Sequence, residues 1–303
     1  MKTVKNYLSL VKFSHTIFAM PFALIGFFLG VLARQGGLDS APWYTRYGFR
    51  LLLVVLCMVF ARSAAMAFNR YLDREFDARN PRTAIREIPA GILHASQVLW
   101  FTLLMSALFL VCTYLINRLC FYLAPVALLV VLGYSYTKRF TPLCHLVLGL
   151  GLSLAPIGAF LAVTGQFAWL PLLFSLAVIF WVSGFDIIYA LQDVEFDRSQ
   201  RLYSIPAWLG KARALHVSEL LHLLSAACVV SAGFFGGFGW IYWAGVAVFA
   251  GMLLYQHSIV RPNDLRRVNL AFMTANGIAS VVFAVFVIAD LFRGLPHPVR
   301  IFN

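Results

Sequence analysis

Charge is scarce in this chain. Only 12% of its 303 residues are charged and only 12 residues are acidic, whereas 61% are hydrophobic. Soluble domains are nearer half apolar and a quarter charged, so the composition excludes an ordinary soluble protein. Long polar stretches are also rare, and the apolar runs are continuous rather than alternating, which argues against membrane β-strands. We therefore predict an all-α, polytopic membrane protein.

Apolar segments long enough to cross a bilayer can be counted directly. A transmembrane helix needs about 20 predominantly apolar residues. Nine segments meet this length, at residues 14–33, 48–67, 97–116, 119–137, 143–163, 168–190, 215–236, 238–256 and 269–291. They consume nearly all of the sequence, which predicts nine transmembrane helices in one domain over residues 1–303. The first segment contains Pro21 and lacks a small-residue cleavage site, so we do not expect a removable signal peptide.

The cysteines indicate neither a metal site nor disulfide bonds. The five cysteines show no C-x-x-C spacing, and we interpret them as small, polarizable packing residues. They are Cys57, Cys112, Cys120, Cys144 and Cys228. The histidines show no metal-ligand spacing either.

The formal net charge of +12 raises the question of nucleic acid binding. Its distribution follows membrane topology instead. With the N-terminus in the cytoplasm, 17 of the 24 Lys and Arg residues fall in cytoplasmic segments and six fall outside. We therefore expect the lipid bilayer of a bacterial-type inner membrane as the environment. Neither nucleic acid nor an obligate protein partner is expected.

The few acidic residues are concentrated. Seven of the twelve lie in segments 69–77 and 186–197, directly after the second and sixth predicted helices. Residues four apart on an α-helix differ by only about 40° in direction. Each segment therefore predicts one polar ridge, formed by Asn69, Asp73 and Asp77 in the first and by Tyr189, Asp193 and Asp197 in the second. Asp186 precedes Asp193 by seven residues. It therefore lies on the same helix face as the second ridge, about 10 Å deeper in the membrane than Asp193 at 1.5 Å per residue.

Carboxylates at the edge of a bilayer are costly unless something binds them. Magnesium is usually held by one or two carboxylates together with substrate phosphates, so two facing ridges suit two Mg²⁺ ions around a diphosphate. Arginines after each acidic segment supply partners for phosphate oxygens. The alternative is a pair of solvated helix ends screened by arginine, which fits poorly because both pairs occupy equivalent topological places. Such repetition is consistent with either duplication or shared function.

The motifs Asn69-x-x-x-Asp73-x-x-x-Asp77 and Asp193-x-x-x-Asp197, in this order and on these helices, resemble those of the UbiA superfamily of intramembrane aromatic prenyltransferases. The resemblance includes the stretch Tyr134-Ser-Tyr-Thr-Lys138-Arg139 after the fourth predicted helix. The first predicted helix and the loop Asn80-Pro-Arg-Thr-Ala-Ile-Arg-Glu-Ile-Pro-Ala-Gly look similar to the 4-hydroxybenzoate polyprenyltransferase-like branch. The resemblance implies a nine-helix bundle with cytoplasmic active-site loops. It also implies Mg²⁺-dependent transfer of a polyprenyl group from its diphosphate to an aromatic ring carbon, in ubiquinone or menaquinone biosynthesis.

The resemblance also implies roles for individual residues. The four motif aspartates, Asp73, Asp77, Asp193 and Asp197, would bind the metal. The residues expected to contact the diphosphate are Asn69, Arg70, Arg86, Lys138, Arg139 and Arg201.

Four further residues are candidates for the reaction or for the acceptor. Asp186 is the candidate for orienting the acceptor or taking a proton. Tyr189 is a candidate for shielding an allylic cation, or else a membrane-interface tyrosine. Lys12 and His15 are candidates for binding an acceptor carboxylate, or else an interfacial lysine and a polar helix cap.

The identity of the acceptor stays open between 4-hydroxybenzoate and a hydroxynaphthoate. The Arg-x-Asp-Lys-Pro-Ile-Gly pattern usual in the first helix of the family's 4-hydroxybenzoate enzymes is absent, which favours the naphthoate. Ile85 replaces an Asn that is common before the loop arginine, so the contacts of this loop depart from the family's pattern. Prenyl transfer to another acceptor such as haem is an alternative reading. A membrane transporter is another alternative function. Transporters, however, favour acidic residues near the bilayer midplane, whereas the acidic residues here gather at one face of the membrane.

Overall fold

The computed structural model describes residues 2–11, 18–35 and 42–293. This part of the chain is helical, with one isolated bridge between Arg261 and Asp264, which confirms the all-α prediction. The helices are α1 (Lys2–Leu10), α2 (Met20–Gln35), α3 (Trp43–Leu72), α4 (Arg74–Arg79), α5 (Ala95–Ile116), α6 (Arg118–Thr137), α7 (Cys144–Thr164), α8 (Trp169–Ala190), α9 (Val194–Ser199), α10 (Ile205–Leu209), α11 (Lys211–Gly236), α12 (Trp240–Ile259) and α13 (Asn276–Phe292).

Seven stretches of the described chain are long and apolar enough to cross a membrane. They are α3, α5, α6, α7, the run Trp169–Ser199, α11 and the run Leu270–Phe292. The first predicted segment corresponds to α2, which is a shorter apolar helix. The eighth corresponds to α12, which has 20 residues. The count of nine spans and the single domain therefore stay predictions.

Helix α8 forms the centre of the bundle, packed between α7 and α11. Its Trp181 is fully buried, and the indole Nε1–H donates a 2.9 Å hydrogen bond to Oδ1 of Asn276. Small residues allow the close approach of neighbouring helices, as is common in membranes. A Cβ atom on Gly26 of α2 would lie 1.9 Å from the carbonyl oxygen of Pro156 in α7, so only glycine fits there.

Both acidic segments lie where a long helix breaks and a short one begins. Asp73 joins α3 to α4 with φ −90° and ψ 6°, and Asp193 joins α8 to α9 with φ −106° and ψ 5°. Both short helices have six residues and carry the sequence Glu-Phe-Asp. The two halves of the chain thus share a local structure as well as a sequence pattern.

The predicted ridges need one correction. In the first segment, backbone hydrogen bonds from Asp73 N to Asn69 O (2.9 Å) and from Asp77 N to Asp73 O (2.8 Å) maintain the four-residue register. In the second, a 3₁₀ turn over Leu191–Asp193 separates α8 from α9. Because a 3₁₀ turn contains three residues rather than 3.6, Tyr189, Asp193 and Asp197 do not form a ridge on one straight α-helix.

Candidate active site

A cavity of about 650 Å³ lies inside the bundle and has one polar end. The carboxylates that line this end are Asp73, Asp77, Asp186, Asp193 and Asp197. The remainder of the wall is mostly apolar and comes from α3, α5, α6, α7 and α8. The two acidic segments, 120 residues apart in sequence, therefore face one shared space.

Asp73 is almost fully buried, with 1% of its surface exposed. Its Oδ2 accepts a hydrogen bond from Asn69 Nδ2 (3.1 Å) and pairs with Lys138 Nζ (2.9 Å). Its Oδ1 lies 3.3 Å from Arg139 Nη2. Burial opposes the charge of the Lys138 ammonium, but the neighbouring Asp73 carboxylate outweighs it and raises the pKa of Lys138. The buried carboxylate therefore has a compensating cation.

Asp77 is also buried and pairs with a single basic side chain. Its Oδ1 lies 2.6 Å from Arg86 Nη1. The Thr83 hydroxyl donates to the Asp77 carbonyl oxygen at 3.1 Å, which ties the following loop to α4. The second carboxylate oxygen, Oδ2, is buried and has no hydrogen-bond partner in the described structure. Buried carboxylate oxygens are usually paired, so this oxygen is available to a further donor or a cation.

The loop after the first acidic segment reaches across to the second. Arg82 donates from Nε to Asp193 Oδ1 at 3.0 Å and also bonds Oδ2 through Nη2. Its Nη1 donates to the Tyr189 hydroxyl at 3.0 Å, and its guanidinium lies 5.3 Å from the centre of the Tyr189 ring. Asn80 Nδ2 adds a 3.3 Å hydrogen bond to Asp193 Oδ1. This bidentate contact is a bridge between the two halves.

Asp197 has no basic partner within 4 Å among the described residues. Its Oδ2 accepts a 3.0 Å hydrogen bond from the Ser204 hydroxyl. Ser204 caps α10, since its Oγ accepts from Ala207 N at 3.2 Å. The second acidic segment is therefore anchored to the start of α10.

Asp186 lies deeper in the cavity wall and contacts a residue that the sequence reasoning missed. Its Oδ2 lies 2.6 Å from Nδ1 of His145, the second residue of α7. No local pattern marked His145, because it is 41 residues from Asp186 and has no ligand spacing.

Arg62 is the second residue whose role was not predicted. It lines the cavity from α3, seven residues and about 10 Å deeper than Asn69. Its Nε is buried without a hydrogen-bond partner, and no described carboxylate lies within 4 Å. Arg62 lies within an apolar helix and on the same helix face as Asn69. This position could have marked it as a functional residue from the sequence, since intramembrane charges mark functional sites.

The other predicted residues differ in whether they line the cavity. Asn69, Arg70, Arg86 and Lys138 line the cavity, as do Asp186 and Tyr189. Arg139 reaches the site through Asp73. Arg201 is exposed, with a positive φ of 55°, and does not line the cavity. Lys12 and His15 lie outside the described residues.

The fold and site define an integral membrane protein of apolar helices with an acid-rich, partly apolar internal cavity. Residues 19–278 match the model of the UbiA prenyltransferase family. The chain belongs to this family and is a prenyltransferase.

Two relatives are named 4-hydroxybenzoate octaprenyltransferase. The protein from Tolumonas auensis is 32% identical over 253 residues, covering 82% of this chain and 88% of the relative. The protein from Nitrosospira multiformis is 32% identical over 246 residues, covering 80% and 83%.

Solved structures support the fold. The apo structure of a UbiA homologue from Aeropyrum pernix K1 has a TM-score of 0.79 and 31% identity, and the match covers 91% of this chain and 98% of that one. A UbiA homologue from Archaeoglobus fulgidus, solved bound to DMAPP and Mg²⁺, has a TM-score of 0.73 and 20% identity, covering 96% and 100%.

The buried pair of Asp77 and Arg86 predicts that removing both charges destabilises the protein less than removing Arg86 alone. The substitution Arg86→Leu leaves a buried carboxylate without its cation, which costs about 3 kcal/mol, so the thermal unfolding midpoint in detergent should fall clearly. Adding Asp77→Asn removes the uncompensated charge and should recover most of the loss. Arg266→Leu is the matched control, because its pair with Asp264 is exposed and contributes little. A double variant no more stable than Arg86→Leu would contradict this account.

Proposed function

We propose that this protein transfers a polyprenyl group from polyprenyl diphosphate to a ring carbon of an aromatic hydroxy acid, in quinone biosynthesis. One observation carries the proposal: four motif aspartates from two halves of the chain meet at the polar end of one apolar cavity. The names of the relatives, 4-hydroxybenzoate octaprenyltransferases, support the same reaction. The charge distribution described above supports an inner membrane with the polar end facing the cytoplasm.

The donor set suits magnesium. All the side chains proposed to bind it, Asp73, Asp77, Asp193 and Asp197, offer the oxygen ligands that Mg²⁺ prefers. The unpartnered Oδ2 of Asp77 supports a ligand at this place. Two ions, one for each acidic segment, are proposed. Bound there, Mg²⁺ supplies Lewis-acid polarisation of the diphosphate leaving group.

The basic side chains have a second use when the diphosphate binds. Lys138, Arg86 and Arg82 pair with the motif aspartates in this structure. If Mg²⁺ were bound by those carboxylates, the same ammonium and guanidinium groups would be free to pair with phosphate oxygens. Arginine suits this because its planar fork binds carboxylate and phosphate alike. Asn69, Arg70 and Arg139 complete the proposed diphosphate site, whereas the exposed Arg201 has the least structural support.

The apolar part of the cavity suits the prenyl chain. Its wall below the carboxylates is built from side chains such as Phe109, Ile116, Leu123 and Leu161. A pocket with apolar walls and a few polar groups at one end is the usual form of a site for an amphiphilic ligand. Tyr189, beside the same polar end, already has the Arg82 guanidinium 5.3 Å from its ring centre, and its ring is proposed to stabilise the positive charge of the allylic group in the same way.

The acceptor fits between Asp186 and Arg62. Both side chains line the same cavity, Asp186 from α8 and Arg62 from α3. An aromatic hydroxy acid carries a hydroxyl for Asp186 and a carboxylate for the unpaired Arg62. In the reaction, the bond between C1 of the prenyl group and the diphosphate oxygen breaks, and its electron pair leaves with the diphosphate. The ring carbon forms a bond to C1, and the ring proton passes to the Asp186 carboxylate.

Removal of one motif aspartate tests the metal roles. Asp73→Asn and Asp193→Asn should each abolish Mg²⁺-dependent product formation, because an amide is a much weaker ligand than a carboxylate. The assay incubates purified protein with polyprenyl diphosphate and either 4-hydroxybenzoate or a hydroxynaphthoate, and identifies the product by mass spectrometry. Glu75→Gln is the matched control, since this exposed residue lies between two motif aspartates and should retain activity. Full activity in both Asn variants would refute the metal assignment.

Arg62 allows a separate test of the acceptor site. Arg62→Leu should raise KM for the acid about 10- to 100-fold, the effect of losing charge-assisted hydrogen bonds to a carboxylate. The KM for the prenyl diphosphate should not change. With the amide of the same acid as acceptor, the wild-type protein and the variant should behave alike. An equal loss for the acid and its amide would show that Arg62 does not bind the carboxylate.

A further inference from the structure

His145 lies behind the Asp186 carboxylate. Both residues line the cavity, but the imidazole side chain is only 3% exposed whereas the Asp186 side chain is 24% exposed. The 2.6 Å contact joins His145 Nδ1 to Oδ2 alone. The other carboxylate oxygen, Oδ1, is therefore the one left for a bound molecule.

The second ring nitrogen defines the tautomer of His145. Its Nε2 lies 3.4 Å from the backbone nitrogen of Ile205, the first residue of α10. A backbone N–H only donates, so this contact favours the tautomer in which Nε2 accepts. The proton of the neutral ring is then on Nδ1, from which it is donated to Asp186. The imidazole acts as a fixed donor to the carboxylate.

Other contacts hold the imidazole in place. The Ser183 hydroxyl oxygen of α8 lies 2.6 Å from the Ile179 carbonyl oxygen and 3.1 Å from the His145 carbonyl oxygen, which places the start of α7 directly against the helix that carries Asp186. Ile205 follows Ser204, whose hydroxyl bonds Asp197. The orientation of Asp186 is thereby linked to the loop that anchors the second acidic segment.

We propose that His145 is a positioning residue for the transfer step. It fixes Asp186 through Oδ2, directs Oδ1 into the cavity, and stabilises the ionised carboxylate that takes the proton from the acceptor. A hydrogen-bond donor behind a functional side chain commonly has this role, in metal sites and in catalytic triads. This inference rests on the proposed function, since it assigns the acceptor side of the same site.

The test compares His145→Leu, which keeps the volume but removes the donor, with His145→Asn, whose amide N–H can replace Nδ1–H. Steady-state kinetics are measured for both substrates of each purified variant. The Leu variant should lose about 10- to 100-fold in kcat with KM for the prenyl diphosphate unchanged. The Asn variant should recover much of that loss. Recovery would not be expected if His145 served only to fill space.

A double-mutant cycle with Asp186→Asn isolates the link between the two residues. If His145 acts through Asp186, adding His145→Leu to Asp186→Asn should cause little further loss, because effects within one unit are not additive. Losses that multiply would overturn the proposal. So would equal activity in the Leu variant and the wild-type protein.

His222→Ala is the matched control for a buried histidine. His222 is 3% exposed and does not line the cavity, so its substitution should lower thermal stability but leave the kinetics unchanged. A kinetic loss in His222→Ala matching that of His145→Leu would assign both to core packing and overturn the proposal. Failure of the proposed function is distinct, because the wild-type protein itself would then form no prenylated product.

Discussion

The compensation of buried carboxylates determines the architecture of this site. An unpaired charge in a low-dielectric interior costs several kcal/mol, and two buried and three half-buried carboxylates line one end of this cavity. Each has a donor from elsewhere in the chain: Lys138 and Arg139 for Asp73, Arg86 for Asp77, Arg82 for Asp193, Ser204 for Asp197 and His145 for Asp186. The loops and short helices around the cavity are held in place by these contacts.

The same contacts join the two halves of the chain. Arg82 follows the first acidic segment but binds Asp193 of the second, and Arg79 of α4 donates to Gln200 at 3.3 Å. Because the first half supplies the counter-ion of Asp193 and both halves contribute carboxylates to the cavity, the complete site requires both halves. Binding of a cation and a diphosphate would exchange these internal pairs for pairs with the ligands. Such an exchange avoids leaving any of the charges uncompensated.

The sequence was sufficient for the fold class and for the acidic segments, because apolar run length and four-residue spacing are local signals. It could not reveal the 3₁₀ turn before Asp193, which depends on how α8 packs and ends. The contact between His145 and Asp186 was also hidden, because it joins different helices and no spacing records it. Arg62 carried a readable signal in its apolar surroundings, but its orphaned Nε became visible only with the cavity wall.

Metal stoichiometry in the presence of diphosphate tests the central claim most directly. Mn²⁺ can replace Mg²⁺ as a spectroscopic probe, and binding is followed by electron paramagnetic resonance with a non-reactive prenyl thiolodiphosphate. We expect two bound Mn²⁺ ions per chain with the analogue, and loss of bound ions in Asp73→Asn and Asp193→Asn. Equal Mn²⁺ binding by the wild-type protein and both variants would contradict the account, since the converging carboxylates would then have no part in holding the metal.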